Sequence, residues 1–350
     1  MPARPVRPSD RARPSDRARH RRGVARLLTV LAVLTAVASA GLLLSRYVPA
    51  RVLPLRPDTW AMATAFTDLA APGLVLATVV ATVALALRRR VARAVLVGLC
   101  AAATAVPILL LAPRWVADPV DPGARSLTVL ALNARLGRAD PEALAAAART
   151  VDLVVLTEAT TPLLRSLADA GVTGRLPYRS TGSLPTAGAA GTVLLSRYPV
   201  TRTERLSPHL SNQAWVCRVD LPGSGPSLTV VAVHPARPRA GGTRWLAEQE
   251  DLLAALPASG PRLLAGDFNA VSSHPTQRAL TADGWRSAVD EAGAGWVPTY
   301  PADGRLVPAL IDIDHVLVTG GVRATAARSV AVPGTDHLGL FVEVSLTPDP

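Results

Sequence analysis

The spacing of apolar and polar residues changes character twice along the chain. Residues 1–23 carry a tandem Arg-Pro-Ser-Asp-Arg-Ala repeat at 7–12 and 13–18. So polar and proline-rich a stretch has nothing to bury, and it reads as a disordered basic tail. Three unbroken apolar runs follow at about 27–44, 69–87 and 94–112. Each approaches the ~20 residues that a bilayer core requires, which predicts about three transmembrane helices in a membrane region over 24–113. Past a Pro- and Asp-rich linker at 114–124, short β-branched runs alternate with helical patterns, the signature of a globular α/β domain over 125–350. Strands are expected at 126–132, 151–156, 191–196, 214–221, 227–233, 262–265, 313–318, 322–330 and 338–346. The fourth and fifth are joined by Pro-Gly-Ser-Gly-Pro and are expected to pair as a hairpin. Helices are expected to start at Asp140-Pro141-Glu142, where a capping carboxylate precedes a proline, and to occupy 243–256 and 276–282. Two apolar sheets with helices on their outer faces satisfy this pattern.

Charge divides the same way. The chain has 37 cationic side chains, all arginine, against 26 acidic ones, a net of +11. From Asp118 onward 20 Arg face 22 Asp plus Glu, leaving −2, so the excess belongs to the N-terminal part. The α/β domain is therefore not a basic nucleic-acid trap. Arginines crowd the tail and the 88–93 loop, which assigns both to the cytoplasmic side and makes the chain a multi-pass plasma-membrane protein with an extracytoplasmic α/β domain. The first apolar run also reads as a signal peptide ending at Ala38-Ser39-Ala40, and its cleavage would leave the domain on the same side. Asp68 reads as an interfacial residue. Cys217 stands alone in the α/β domain, so no disulfide forms within it.

The candidate chemistry sits at strand ends. Leu263-Leu264-Ala265-Gly266 leads into Asp267-Phe268-Asn269, which places a carboxylate and a carboxamide two positions apart on one face. A carboxylate can orient or deprotonate a water, and a carboxamide can hold that water or a phosphoryl oxygen without adding charge. Asn133 ends the first strand and Glu158 follows the second, offering the hard oxygen donors that suit Mg²⁺ or Mn²⁺. Singly, Asn133 reads equally as a turn residue and Glu158 as a helix-start carboxylate; the set is what singles them out. His234 ends a strand and can donate to a phosphoryl oxygen. An aspartate can fix the tautomer of His337 and favour its charged form, and both Asp312 and Asp314 are placed to do so. Asp336 points elsewhere and can serve a metal. His209, His274 and His315 read as surface or structural residues.

These blocks resemble the ordered motifs of the endonuclease/exonuclease/phosphatase superfamily. The resemblance runs through Asn133, Thr157-Glu158, Gly191 to Pro199, His234-Pro235, Gly266 to Asn269, Ile313 to Val316 and Thr335 to His337, and covers nearly all of 125–346. It implies a four-layered α/β sandwich of two packed, mainly antiparallel sheets flanked by helices, and a divalent metal. Carried over by position, it makes Asn133, Glu158 and Asp336 the metal site, His234 a phosphate contact, Asp267 and Asn269 the water-activating pair, and Asp314 the support of His337. Ser196-Arg197 resembles a structural segment. Thr157 and Thr335 depart from the frequent glutamine and serine. No counterpart of the phosphate-binding tyrosine or arginine stands out, and Tyr178 reads as core.

The expectation is a membrane-anchored, metal-dependent phosphoester hydrolase, a phosphodiesterase acting on a lipid headgroup or nucleic acid. Its partners would be that substrate and the bilayer, and no segment signals a protein partner. The competing class is a non-catalytic ligand-binding or scaffolding ectodomain. A degenerate site of that kind should have lost acids, and none is missing here.

Overall fold

The computed structural model describes residues 14–48, 52, 56–119, 124–223, 227–304 and 308–346. Two compact units form, one from the chain up to Leu44 with Asp68–Leu109, the other from Ser45–Thr67 with the chain from Leu110. The first unit is helical: α1 (Pro14–Ser45), α3 (Ala70–Leu87) and α4 (Val91–Leu111), separated in sequence by α2 (Pro57–Thr64) of the second unit. Among the described residues, three helices are long and apolar enough to cross a membrane. Helix α1 begins at Pro14, so residues 14–23 are helical where a disordered tail is expected. Proline fits a first helical turn, and the Arg and Ala that follow are good helix formers. Residues 1–13 of that tail lie outside the described residues.

A second difference is larger. The sequence pattern places 45–67 inside the membrane region, but α2 packs into the globular unit, where Trp60 and Ala61 are each 1 % exposed. The expected linker is also tied down in part: Gly295 donates its N–H to the Arg114 carbonyl at 2.7 Å and Asp118 donates to Glu291 at 2.8 Å.

Among the described residues of the second unit, twelve strands form two six-stranded sheets. They are β1 (Arg125–Asn133), β2 (Leu153–Thr157), β3 (Tyr178–Arg179), β4 (Thr192–Ser196), β5 (Val200–Arg205), β6 (Trp215–Val219), β7 (Leu228–Val233), β8 (Arg262–Asp267), β9 (Arg286–Ser287), β10 (Asp314–Thr319), β11 (Val322–Val330) and β12 (Gly339–Leu346). One sheet has the order β11-β12-β1-β2-β4-β3, the other β5-β6-β7-β8-β10-β9. The pairs β1/β2 and β7/β8 are parallel and the remaining pairs antiparallel, including the expected hairpin β6/β7. Helices α5 (Pro141–Ala148), α6 (Thr161–Asp169) and α7 (Val172–Arg175) belong to the first sheet's half of the sequence, and α8 (Gly242–Ala255), α9 (Pro275–Ala282) and α10 (Ala288–Glu291) to the second's. Asp140 caps α5 as its sequence predicts, accepting from Ala143 N at 2.8 Å.

Strand parity builds the layers. Leu127, Val129 and Ala131 of β1, Val230 and Ala232 of β7, Leu263 and Ala265 of β8, and Val316 and Val318 of β10 share one buried cluster between the sheets. Their even-numbered neighbours Leu130 and Leu132 pack with Leu144 of α5 and Leu163 of α6. Val231, Val233 and Leu264 pack with Trp245 of α8, Leu280 of α9 and Trp60 of α2. Four layers result, each side chain of an inner strand entering one core or the next by the two-residue period.

Candidate active site

Continuing that parity past the ends of β1, β7, β8 and the start of β10 points Asn133, His234, Asp267 and Asp314 into the space between the sheets. All four are buried, at 2–3 % exposure. Asn133 Nδ2 donates to Asp267 Oδ2 at 2.8 Å, which joins the two sheets through their polar ends. The other oxygen of Asp267 accepts from Asn269 N at 2.8 Å. Asp267 and Asp314 are register partners in the β8/β10 ladder. Asp314 Oδ2 accepts from His337 Nδ1 at 2.7 Å, which leaves Nε2 facing Asp267 Oδ2 at 3.9 Å. His234 Nε2 faces the same oxygen at 3.6 Å. Two imidazoles thus converge on one carboxylate at separations that a water or a substrate oxygen bridges.

Electrostatics follow from this geometry. Burial opposes a charge on the His337 ring, but the Asp314 carboxylate and its hydrogen bond, with Asp267 and Asp336 beyond, outweigh it and raise the imidazole to about 9. His337 is therefore an imidazolium at neutral pH. Asp314 and not Asp312 is its partner: β10 begins at Asp314, and Asp312 precedes the strand.

The remaining expected residues gather around the turn after β1. Asn133 Oδ1 accepts from Arg135 N at 2.8 Å, Glu158 Oε2 accepts from Leu136 N at 2.7 Å, and Asp336 Oδ1 lies 3.7 Å from Arg135 Nε. Arg135, Leu136, Glu158 and Asn269 all have positive φ, at 46°, 57°, 52° and 48°. Such backbone is held only where its surroundings over-determine it, and it collects at functional sites. Glu158 and Asp336 are partly exposed carboxylates, the kind of open oxygen donor set that a hexacoordinate divalent cation accepts while keeping waters. Among the described residues, the His, Cys, Asp and Glu side chains close enough to share a cation are Asp267, Asp314 and His337, with ligand atoms within 4.8 Å of one another. In that group Asp314 Oδ2 is taken by His337 Nδ1, while the buried Asp314 Oδ1 has no hydrogen-bond partner among the described residues.

Several contributors escape a reading of the sequence. Asn212 Nδ2 lies 3.2 Å from His234 Nδ1 and orients that ring. Thr335 donates to the Asn133 carbonyl at 2.7 Å and accepts from His337 N at 3.1 Å, so its hydroxyl links the two halves of the site. The Tyr300 ring lies 4.9 Å from that of His337. Burial, then the charge of Asp336, raises its phenol. No motif gives away Asn212 or Tyr300, and the motif that contains Thr335 does not show its hydroxyl linking Asn133 to His337. Tyr178, which reads as core, is 43 % exposed on edge strand β3. Arg197 pairs with Asp152 at 3.2 Å, and Ser196 Oγ donates to the Tyr198 carbonyl. His274 and His315 are buried and bonded to backbone, and His209 is exposed.

A family model described as Endonuclease/Exonuclease/phosphatase family matches residues 130–337. The chain belongs to that family. Its members generally hydrolyse phosphoester bonds and use divalent metals. No curated protein matches the sequence. Among solved structures, a functionally unknown conserved protein from Enterococcus faecalis V583 is similar at 18 % identity and TM-score 0.51, covering 63 % of this chain and 100 % of its own. A humanised TDP2 of D. rerio is similar at 16 % identity and TM-score 0.50, covering 63 % and 98 %. An endonuclease/exonuclease/phosphatase from Beutenbergia cavernae DSM 12333 shares 21 % identity at TM-score 0.49, covering 63 % and 72 %. At these identities the likeness is one of fold, that of the two mixed sheets flanked by helices.

Proposed function

We propose that this family member is a membrane-anchored, divalent-metal-dependent phosphoester hydrolase, a phosphodiesterase acting on a lipid headgroup or nucleic acid with its α/β domain on the extracytoplasmic face. The observation that carries the reading is the convergence of Asn133, His234, Asp267 and the Asp314–His337 pair between the two sheets. Asp267, fixed by Asn133 and by the Asn269 N–H, orients a water and takes its proton. Asn269 holds that water or a phosphoryl oxygen. His234 donates to a phosphoryl oxygen. His337, held as imidazolium by Asp314, stabilises negative charge as it develops on phosphorus. The buried Asn133 carboxamide and the partly exposed Glu158 and Asp336 carboxylates offer the oxygen donors that suit Mg²⁺ or Mn²⁺. The bound ion would supply neutralisation of phosphate charge.

Orientation rests on the arginines of the tail and of the 88–93 loop. It is supported by chain order: the globular unit takes both 45–67 and the chain from 110, and two membrane-length helices, α3 and α4, lie between these segments. Two crossings return the chain to the side it left. The −2 charge of residues 118–350 favours a lipid headgroup over tight non-specific DNA binding, which needs several basic phosphate contacts. The test is hydrolysis by the full chain in detergent micelles against duplex DNA, sphingomyelin, phosphatidylinositol phosphates and bis-nitrophenyl phosphate, with Mg²⁺, with Mn²⁺ and in excess chelator. Turnover of at least one ester that the chelator abolishes is expected; no turnover under any condition would turn the account to a ligand-binding ectodomain.

A further inference from the structure

The connector between the first two apolar helices lies outside the 130–337 family match, yet it is built into the core beside Asp267. The Trp60 ring packs 6.4 Å from Trp245 and 5.9 Å from His274, and those two rings meet edge-on at 4.9 Å. Trp245 Nε1 donates to the Asn269 carbonyl at 3.0 Å. His274 Nδ1 accepts from Val271 N at 2.9 Å, which puts the ring proton on Nε2, and Nε2 donates to the Ala61 carbonyl at 3.0 Å. Burial pushes this imidazole down to about 4, so the neutral tautomer persists across the working range. Arg46 Nη1 donates to Ser273 Oγ at 2.8 Å. Ala65 joins Val271, Ile311 and Ile313 in a small cluster against which Phe66 and Tyr300 pack. Helix α8 starts with Gly242 where α2 abuts it, and a Cβ there would strike the backbone of Pro57 and Asp58.

The contacts of Trp60, Ala61 and Arg46 end on 269–274 or on Trp245, whose indole holds the Asn269 carbonyl. That segment begins with Asn269 at φ 48°, a conformation that needs support from outside. We propose that the described residues of this connector, chiefly 56–67, are an added wall of the active site, in which Trp60 and Ala61 position the Asp267–Asn269 turn through Trp245 and His274. Trp60 is a positioning residue and touches no reacting group. The consequence for function rests on the reading of Asp267 and Asn269 as the water-holding pair. It also means that the globular unit is completed only when the chain on both sides of α3 and α4 is present.

The test uses the full chain in detergent micelles, comparing wild type, Trp60→Ala and Trp60→Phe by hydrogen exchange and by steady-state hydrolysis of the best ester with Mg²⁺. In Trp60→Ala, exchange of the 269–274 amides should rise about tenfold or more relative to β1 and β8. Its kcat should fall about tenfold with KM within about twofold, and Trp60→Phe should recover most of both. Should Trp60→Ala fail to fold, His274→Phe, which keeps a ring but removes both hydrogen bonds, must give the same pattern. Unchanged exchange at 269–274, or an equal loss of kcat in the alanine and phenylalanine variants, overturns the proposal. Loosened exchange supports the wall even where wild type hydrolyses no ester, a result that overturns the functional reading instead.

Discussion

Asp314→Asn isolates the charge that the fold places beneath His337. The side chains are 0 % and 7 % exposed and 2.7 Å apart, so solvent screens them little. The imidazole is held at about 9 against an ordinary 6.5. At ~1.4 kcal/mol per pH unit, that interval sets an upper bound of about 3 kcal/mol on the stability linked to protonation of the ring, because burial raises Asp314 and keeping that carboxylate ionised opposes the gain. Its sign is fixed by direction. A folded-state pKa above the unfolded one gives stability that is complete below pH 6.5 and is lost as the pH rises through about 9. Asparagine keeps an acceptor for Nδ1 but removes the carboxylate and its desolvation cost together, so the variant should lose up to about 3 kcal/mol at pH 6. For a domain of this size that limit is a midpoint roughly 6–12 °C lower. Thermal unfolding of the full chain in micelles is followed at pH 6, 7.5 and 9.5, in excess chelator so that no cation at Asp336 contributes. The gap between the proteins should be widest at pH 6 and narrow by pH 9.5. Equal gaps at all three pH values, or no loss at pH 6, would refute the argument that an imidazolium–carboxylate pair sits in this site.

Other substitutions separate the roles further. Glu158→Gln keeps an acceptor for Leu136 N but removes a carboxylate from the metal-side donors, so the Mg²⁺ concentration for half-maximal turnover should rise about 10–100-fold, with smaller loss at saturation; an unchanged metal titration would remove Glu158 from that set. Asn212→Ala frees His234 Nδ1 and should lower kcat/KM about 2- to 10-fold, the worth of one hydrogen bond, with stability nearly unaffected. Gly266→Ala meets a φ of 144° and the Val233 carbonyl at the parallel β7/β8 contact, and a loss of more than about 2 kcal/mol is expected in denaturant unfolding.

Much of this arrangement was legible because strand ends are written in the two-residue period. Val129-Leu130-Ala131-Leu132-Asn133 and Leu263-Leu264-Ala265-Gly266-Asp267 each carry their polar residue on the parity of the inner core, so the sequence alone sends both side chains to one place. Strand β11 matches its expected 322–330 bounds. Strand β5 is missed because Thr201-Arg202-Thr203-Glu204-Arg205 is a solvated edge with no apolar alternation. Helix α6 is missed because Thr160 caps a short amphipathic segment whose buried residues are few, Leu163 and Leu167. Asn212 and Tyr300 lie on loops whose course is set by tertiary contacts. The greatest departure is α2: Trp60-Ala61 falls inside the stretch that reads as the membrane region, and only the packing of Trp60 on Trp245 and His274 assigns it to the globular unit.

The central claim is that Asp267, reached by Asn133 from the opposite sheet and faced by two imidazoles, is the group that activates water. Asp267→Asn in the full chain measures it most directly, since the substitution nearly preserves shape. With Mg²⁺ and the best ester, kcat should fall about 10²–10⁴-fold while circular dichroism and unfolding midpoint stay close to wild type; turnover within a fewfold of wild type in a folded variant would contradict the account.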